Sequence, residues 1–121
     1  MELSNAEEKL MQILWKKEKA FMKDLVEAYP DPKPALTTVA TLLKRMQAKN
    51  FVGYIQIGRS REYFPKVSKK NYFSKQMNGM IKSFFNNSAS QFASFFAEES
   101  NLSEKELVEL RKLIDEKIKK K

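Results

Sequence analysis

Lys33 to Phe64 reads KPALTTVATLLKRMQAKNFVGYIQIGRSREYF, and its first half sets Val39, Leu42, Leu43 and Met46 at the i, i+3, i+4, i+7 spacing of a helix buried along one side. The opposite face carries Thr37, Thr38, Thr41, Lys44 and Arg45. Short hydroxyls permit close approach, and Arg45 has the planar fork that pairs bidentately with a guanine edge or a phosphate, so this face suits a helix seated in the DNA major groove. Asn50 stands where the helix should stop, at a position that often needs a left-handed backbone. Phe51 to Ile57 is rich in strand formers, Gly58-Arg59-Ser60-Arg61 reads as a tight turn, and Glu62-Tyr63-Phe64 begins a return strand. A helix followed by a basic hairpin is the pattern of a winged helix. Arg59, Ser60 and Arg61 would place a second set of DNA contacts at its tip.

Charge placement sharpens that reading. Residues 1–32 sum to −2 and residues 71–121 to +2, whereas residues 33–70 hold nine Lys or Arg against Glu62 alone, a net +8 equal to that of the whole chain. A solvated face normally mixes its signs, so a one-signed segment points to a polyanion. Composition narrows the rest. The 121 residues are enough for one domain and an appendage, and 42% hydrophobic content supports a real core. No uncharged apolar run reaches the roughly 18 residues of a membrane span, and no signal-peptide order opens the chain, so a cytoplasmic location is expected. With no cysteine and no histidine there is no thiolate zinc site and no usual general base. Nothing therefore suggests an enzyme, a metal site or a cofactor.

Upstream, Leu3-Ser4-Asn5-Ala6-Glu7 offers a capping box with Ser4 as N-cap. Ala6, Leu10, Ile13 and Leu14 make a buried stripe, widened by Met11 and Trp15, and Lys16 to Lys19 closes the helix. A lone Trp on such a face is read as core rather than as a stacking platform. A second helix is expected from about Phe21 to Tyr29, with Met22, Leu25, Val26 and Tyr29 facing inward. Pro30, Pro32 and Pro34 end it, the last at the first turn of the next helix. Two short helices, a proline-punctuated turn and a recognition helix make a helix-turn-helix.

Downstream, Ser68 caps a helix reaching about Phe85, with Phe73, Met77, Met80, Ile81 and Phe84 along one side and Tyr72 and Phe85 beside them. Asn86-Asn87-Ser88 breaks it, and a short helix follows with Phe92, Phe95 and Phe96. Ser103 and Glu106 form a second capping box, opening a last helix whose Leu107, Leu110, Leu113, Ile114 and Ile118 should face inward. The lysines that follow complement its dipole and are read as a solvated tail. Six of the nine phenylalanines lie between residues 73 and 96, with too little chain to cover them, so a second copy is the expected partner. A pocket lined by Phe and Met is the competing reading, but no polar group converges there and no small-molecule ligand is evident.

The ordered set Leu3-Ser4-x-Ala6-Glu7, Ile13-Leu14-Trp15, Thr38-Val39-x-Thr41-Leu42-Leu43-Lys44-Arg45-Met46, Gly58-Arg59, Tyr63-x-Pro65-x-Val67-Ser68 and Leu102-Ser103-x-x-Glu106-Leu107-x-x-Leu110 resembles the penicillinase-repressor family. These are winged-helix regulators of bacterial β-lactamase and methicillin-resistance operons, with copper-responsive relatives. The resemblance implies a mainly α fold with a small β-hairpin wing: a winged-helix DNA-binding domain at 1–70, then a helical dimerisation domain at 71–121. It implies a homodimeric repressor on a palindromic double-stranded operator, with Phe73, Met77, Phe84, Phe92, Phe95, Phe96, Leu107, Leu110 and Ile114 at the dimer interface.

In the antibiotic-resistance members, a membrane-bound sensor peptidase triggers cleavage of the dimerisation domain, commonly at an Asn-Phe bond. Here that bond falls on Phe95-Phe96, without the Asn. Copper-responsive relatives use C-terminal cysteines, which this chain lacks. Pro34-Ala35 and Asn50 stand where these repressors usually carry Trp-Ser and Gly; Asn tolerates the same backbone. The alternative class is a winged-helix protein-interaction adaptor, which would be expected to lose its positive face. A membrane-surface protein is disfavoured because the cations share a helix face with hydroxyls.

Overall fold

Capping decides where the first helix starts. In the computed structural model, which describes residues 3–120, the Ser4 N–H donates to Glu7 Oε1 at 2.8 Å and the Glu7 N–H donates to Ser4 Oγ at 3.2 Å. This is the expected capping box, and α1 (Asn5–Lys17) follows it, burying Leu10, Met11 and Leu14. Glu18, with a φ of 70°, ends the helix. Ala6, expected in the buried stripe, is exposed, while Glu7 is only 1% exposed. Apolar periodicity assigns burial by residue type, but a carboxylate can be buried when it finds a partner. That partner is Lys49, whose Nζ lies 2.7 Å from Glu7 Oε1. Burial pushes the Glu7 carboxyl up; hydrogen bonds from Lys49 and Ser4 and the ammonium charge outweigh it and hold the group below its ordinary value.

The single helix expected from Phe21 to Tyr29 is instead a two-residue strand, β1 (Ala20–Phe21), and a shorter helix, α2 (Met22–Glu27). The Asp24 carboxylate accepts from the Phe21 N–H at 3.2 Å, fixing the strand-to-helix step. Leu25 is fully buried; Met22, Val26 and Tyr29 pack half-buried against the same core. Past the end of α2, Lys33 Nζ donates to the Glu27 and Tyr29 carbonyls at 2.9 and 2.7 Å, satisfying acceptors that a helix end leaves open. α3 (Leu36–Ala48) has Ala35 as its N-cap, so Pro34 lies outside the first turn it was expected to open. Val39, Leu42, Leu43 and Met46 are buried as their spacing predicts. Asn50 adopts φ 68°, the left-handed stop, and its Oδ1 accepts from Lys66 Nζ at 2.9 Å.

β2 (Val52–Ile57) and β3 (Ser60–Pro65) form the hairpin, and β3 lies between β2 and β1 in an antiparallel sheet. The turn is tighter than the sequence suggested. Ser60 and Arg61 belong to β3, opposite Ile57 and Gln56, leaving Gly58-Arg59 as a two-residue loop. Gly58 has φ 61° at the first loop position, where such a hairpin needs a positive value. Gly53 sits opposite Phe64, where an added Cβ would come within 2.8 Å of the Phe64 ring.

Trp15 is half-buried core, as read, but its Nε1–H is also used: it donates to the Val67 carbonyl at 2.8 Å. Tyr72 and Phe73 pack their rings 5.8 Å from the Trp15 ring, and the Tyr72 hydroxyl donates to Glu8 Oε2 at 2.9 Å. These two residues open α4 (Lys69–Phe84), whose first turn is capped by Ser68 Oγ accepting from the Asn71 N–H. The chain divides into two compact units, Met1–Ser74 and Lys75–Lys121.

In the second unit, Asn86 and Asn87 take φ 53° and 58° and break α4 from α5 (Ala89–Glu99), which Ser88 caps. Ser103 and Glu106 then form the expected capping box of α6 (Glu104–Lys119). Phe85 packs against Phe92 and Phe95 at 5.5 and 5.4 Å between ring centroids. No residue of α5 or α6 is fully buried. Leu107 and Leu110 are half-buried, but Leu113, Ile114 and Ile118, expected to face inward, are 63%, 54% and 64% exposed. Their spacing is that of a buried stripe, yet among the described residues of the second unit nothing covers it.

Candidate nucleic-acid interface

The buried stripe of α3 fixes the orientation of everything else on that helix. Thr37, Thr38, Thr41, Lys44 and Arg45 are all exposed, as the sequence placed them. They do not act as one set. Helical spacing puts Leu36, Ala40, Lys44 and Gln47 in a single line, and that line forms one wall of an open groove of about 1060 Å³. Thr37, Thr41 and Arg45 lie on the neighbouring strip, outside the groove lining. The Thr41 hydroxyl donates to the Thr37 carbonyl at 2.9 Å, so its proton is already used within the helix.

The facing wall is the wing, with Tyr54 and Gln56 from β2, Arg59 from the loop, and Ser60 and Arg61 from β3. Lys44 of the helix is thereby brought together with Arg59, Ser60 and Arg61 of the hairpin. Arg61 is not a loop-tip cation: its guanidinium carbon lies 4.2 Å from the centroid of the Tyr54 ring, a cation–π stack that holds the charge over the groove. Gln56 Nε2 donates to the Gly58 carbonyl at 3.1 Å and braces the loop that carries Arg59.

Four cations, Lys23, Lys44, Arg59 and Arg61, line this groove, and none of its described lining residues is acidic. Lys23 was missed because counting charge by segment placed it in the net-negative N-terminal third. Only the pairing of β1 with β3 carries the start of α2 to the groove's edge. Gln47 was missed as well, although it continues the Leu36, Ala40, Lys44 line at helical spacing.

Conversely, the +8 segment is not wholly available to a polyanion. Lys33 closes α2, Lys49 pairs with Glu7 and Lys66 holds Asn50. Among the described residues there is no group of three or more His, Cys, Asp or Glu placed to hold a metal ion, and no helix long and apolar enough to cross a membrane.

Comparison with known proteins gives the family. The family model described as penicillinase repressor matches residues 3–116. The methicillin resistance regulatory protein MecI of Staphylococcus aureus (strain N315) is 26% identical over 117 residues, covering 96% of this chain and 95% of its own. The penicillinase repressor of Bacillus licheniformis is 22% identical over 116 residues, covering 95% and 91%. A solved chain of Bordetella bronchiseptica BpsR, whose DNA binding is regulated by 6-hydroxynicotinic acid, aligns over 98% of this chain and 76% of its own at 14% identity with a TM-score of 0.48.

Proposed function

The chain belongs to the penicillinase repressor family, and from that premise we propose that it is a cytoplasmic, homodimeric repressor that binds a palindromic operator, one winged helix to each half-site. Members of this family are transcriptional repressors, not enzymes. The observation that carries the reading is the acid-free groove between α3 and the wing, with Lys44 on one wall and Arg59 and Arg61 on the other. α3 enters the major groove, Arg45 pairs with a base edge or phosphate, and the wing cations hold the backbone. A dimerisation domain formed by residues 71–121 joins the two reading heads through the exposed apolar side chains of its helices.

Salt separates the two kinds of contact. Replacing Arg59 by Ala should weaken binding to all duplexes about equally and reduce the log–log salt slope by roughly 0.9, the contribution of one neutralised phosphate. Arg45→Ala should cost about 1–3 kcal/mol on the preferred operator and relax the preference there. Thr38→Ala should shift preference as well. Thr41→Ala should do less, because that hydroxyl already donates within the helix. Fluorescence titrations at four salt concentrations on preferred and scrambled duplexes measure both quantities. Salt-independent binding, or no binding to any duplex, would return the chain to the adaptor class.

We propose that relief of repression uses the same architecture. Cleavage at Phe95-Phe96, triggered through a membrane-bound sensor peptidase, would disconnect α6 from the rest of the dimerisation domain. That bond lies inside α5, so a protease needs the helix to open locally before it can act. Half-exposed Phe95 and the absence of any fully buried residue in α5 make such an opening inexpensive.

A further inference from the structure

Beside the polar side chains of Thr38, Lys44, Arg45 and Gln47, this reading helix also presents apolar surface to the groove. At its N-terminal end the line facing the groove begins with Leu36, 58% exposed, and Ala40 one turn on. On the neighbouring strip the Thr41 hydroxyl donates to the Thr37 carbonyl, so that threonine keeps acceptor lone pairs but has no free proton for a base. A single exposed leucine means little on an ordinary surface. Here it lies in a concave groove whose charged members are all cations, so the occupant that fits is a polyanion with an apolar group projecting from its edge. In the DNA major groove that group is the C5-methyl of thymine, and no other base presents one. Lys44, further along the same line, marks the phosphate side.

We propose that Leu36, with Ala40, is a specificity-determining contact that reads thymine methyl groups in each operator half-site. The proposal rests on the repressor reading and adds the base it selects.

The test uses the full-length protein and a duplex selected by it from a random library. Thymines of one half-site are replaced one at a time by uracil, which removes only the C5-methyl and keeps the pairing edge and O4. The wild-type protein should lose about three- to tenfold in affinity at one or two positions, the order expected for one buried methyl-sized contact. Leu36→Ala should bind the thymine duplex more weakly by a similar factor, and uracil at one of those positions should then cost it nothing further. Leu36 is exposed and packs no core, and circular dichroism verifies that the variant folds. Equal uracil penalties in both proteins, or no penalty anywhere, would overturn the proposal while leaving the repressor reading intact. If no duplex is selected at all, both fall together.

Discussion

Ile114→Asp is expected to convert the protein into a monomer and to lower operator affinity by about 10²- to 10⁴-fold, the gain that linking two half-site contacts ordinarily supplies. Ile114 is 54% exposed and sits between Leu113 and Ile118 on the uncovered face of α6. The change therefore removes nothing that a single chain uses to fold. At a two-fold interface it appears twice: each copy loses a side chain whose full burial is worth about 1.5–3 kcal/mol and gains an unpaired carboxylate. Phe96→Asp should act alike, with some added loss because Phe96 stacks on Phe92 at 6.2 Å. Sedimentation gives the mass, and titration of a full operator and of an isolated half-site gives the affinities. The half-site value should not change. An Ile114→Asp protein that still sediments as a dimer would place the interface elsewhere.

Replacing Lys49 by Met should destabilise the first unit by about 3 kcal/mol, toward the lower end of what breaking a buried ion pair costs. The two partners are unequal: Lys49 keeps 28% of its side chain exposed, while Glu7 keeps 1%. When Lys49 is lost, a buried carboxylate remains, and its Oε2 has no hydrogen-bond partner even in the intact pair. When Glu7 is changed to Gln, no buried charge is left behind and the remaining cation is the more exposed partner, so that variant should lose less. Thermal melts of both variants order them, and the reverse order would mean that the capping box, not the charge pair, dominates Glu7's role.

The same pair sets an acid limit. A carboxyl held below 4.5 in the folded state contributes stability that is complete above that value and disappears as pH falls through the lower folded value. The difference between wild type and Lys49→Met should therefore narrow below pH 4.5.

Much of this was legible in the sequence wherever burial follows side-chain type. Val39, Leu42, Leu43 and Met46, both capping boxes and the left-handed Asn50 are local patterns, and all three stand in the structure. What escaped depends on distant partners. Glu7 is buried because of a lysine 42 positions away. Two residues are too few to show an alternating period, so Phe21 of β1 was read as the start of a helix. Ser60 and Arg61 read as turn with Gly58 and Arg59, yet the positive φ of Gly58 needs only one more residue to close the loop. The groove itself is invisible in one dimension, since its two walls are brought together by the sheet.

On the proposed function, that sheet would also limit how far the protein can accommodate a misfitting operator. A hairpin joined to its domain only at the base is an arm that swings. Here β1 grips β3 from the outer side through Ala20 opposite Tyr63 and Phe21 opposite Glu62, and β1 runs directly into α2. Only two rungs, Gln56 with Arg61 and Ile57 with Ser60, project past that grip. The helix-turn-helix and all but the end of the wing are thus tied by one sheet. On the proposed function, an operator whose groove departs from the width so set would itself have to bend, and the elastic cost would fall on the duplex.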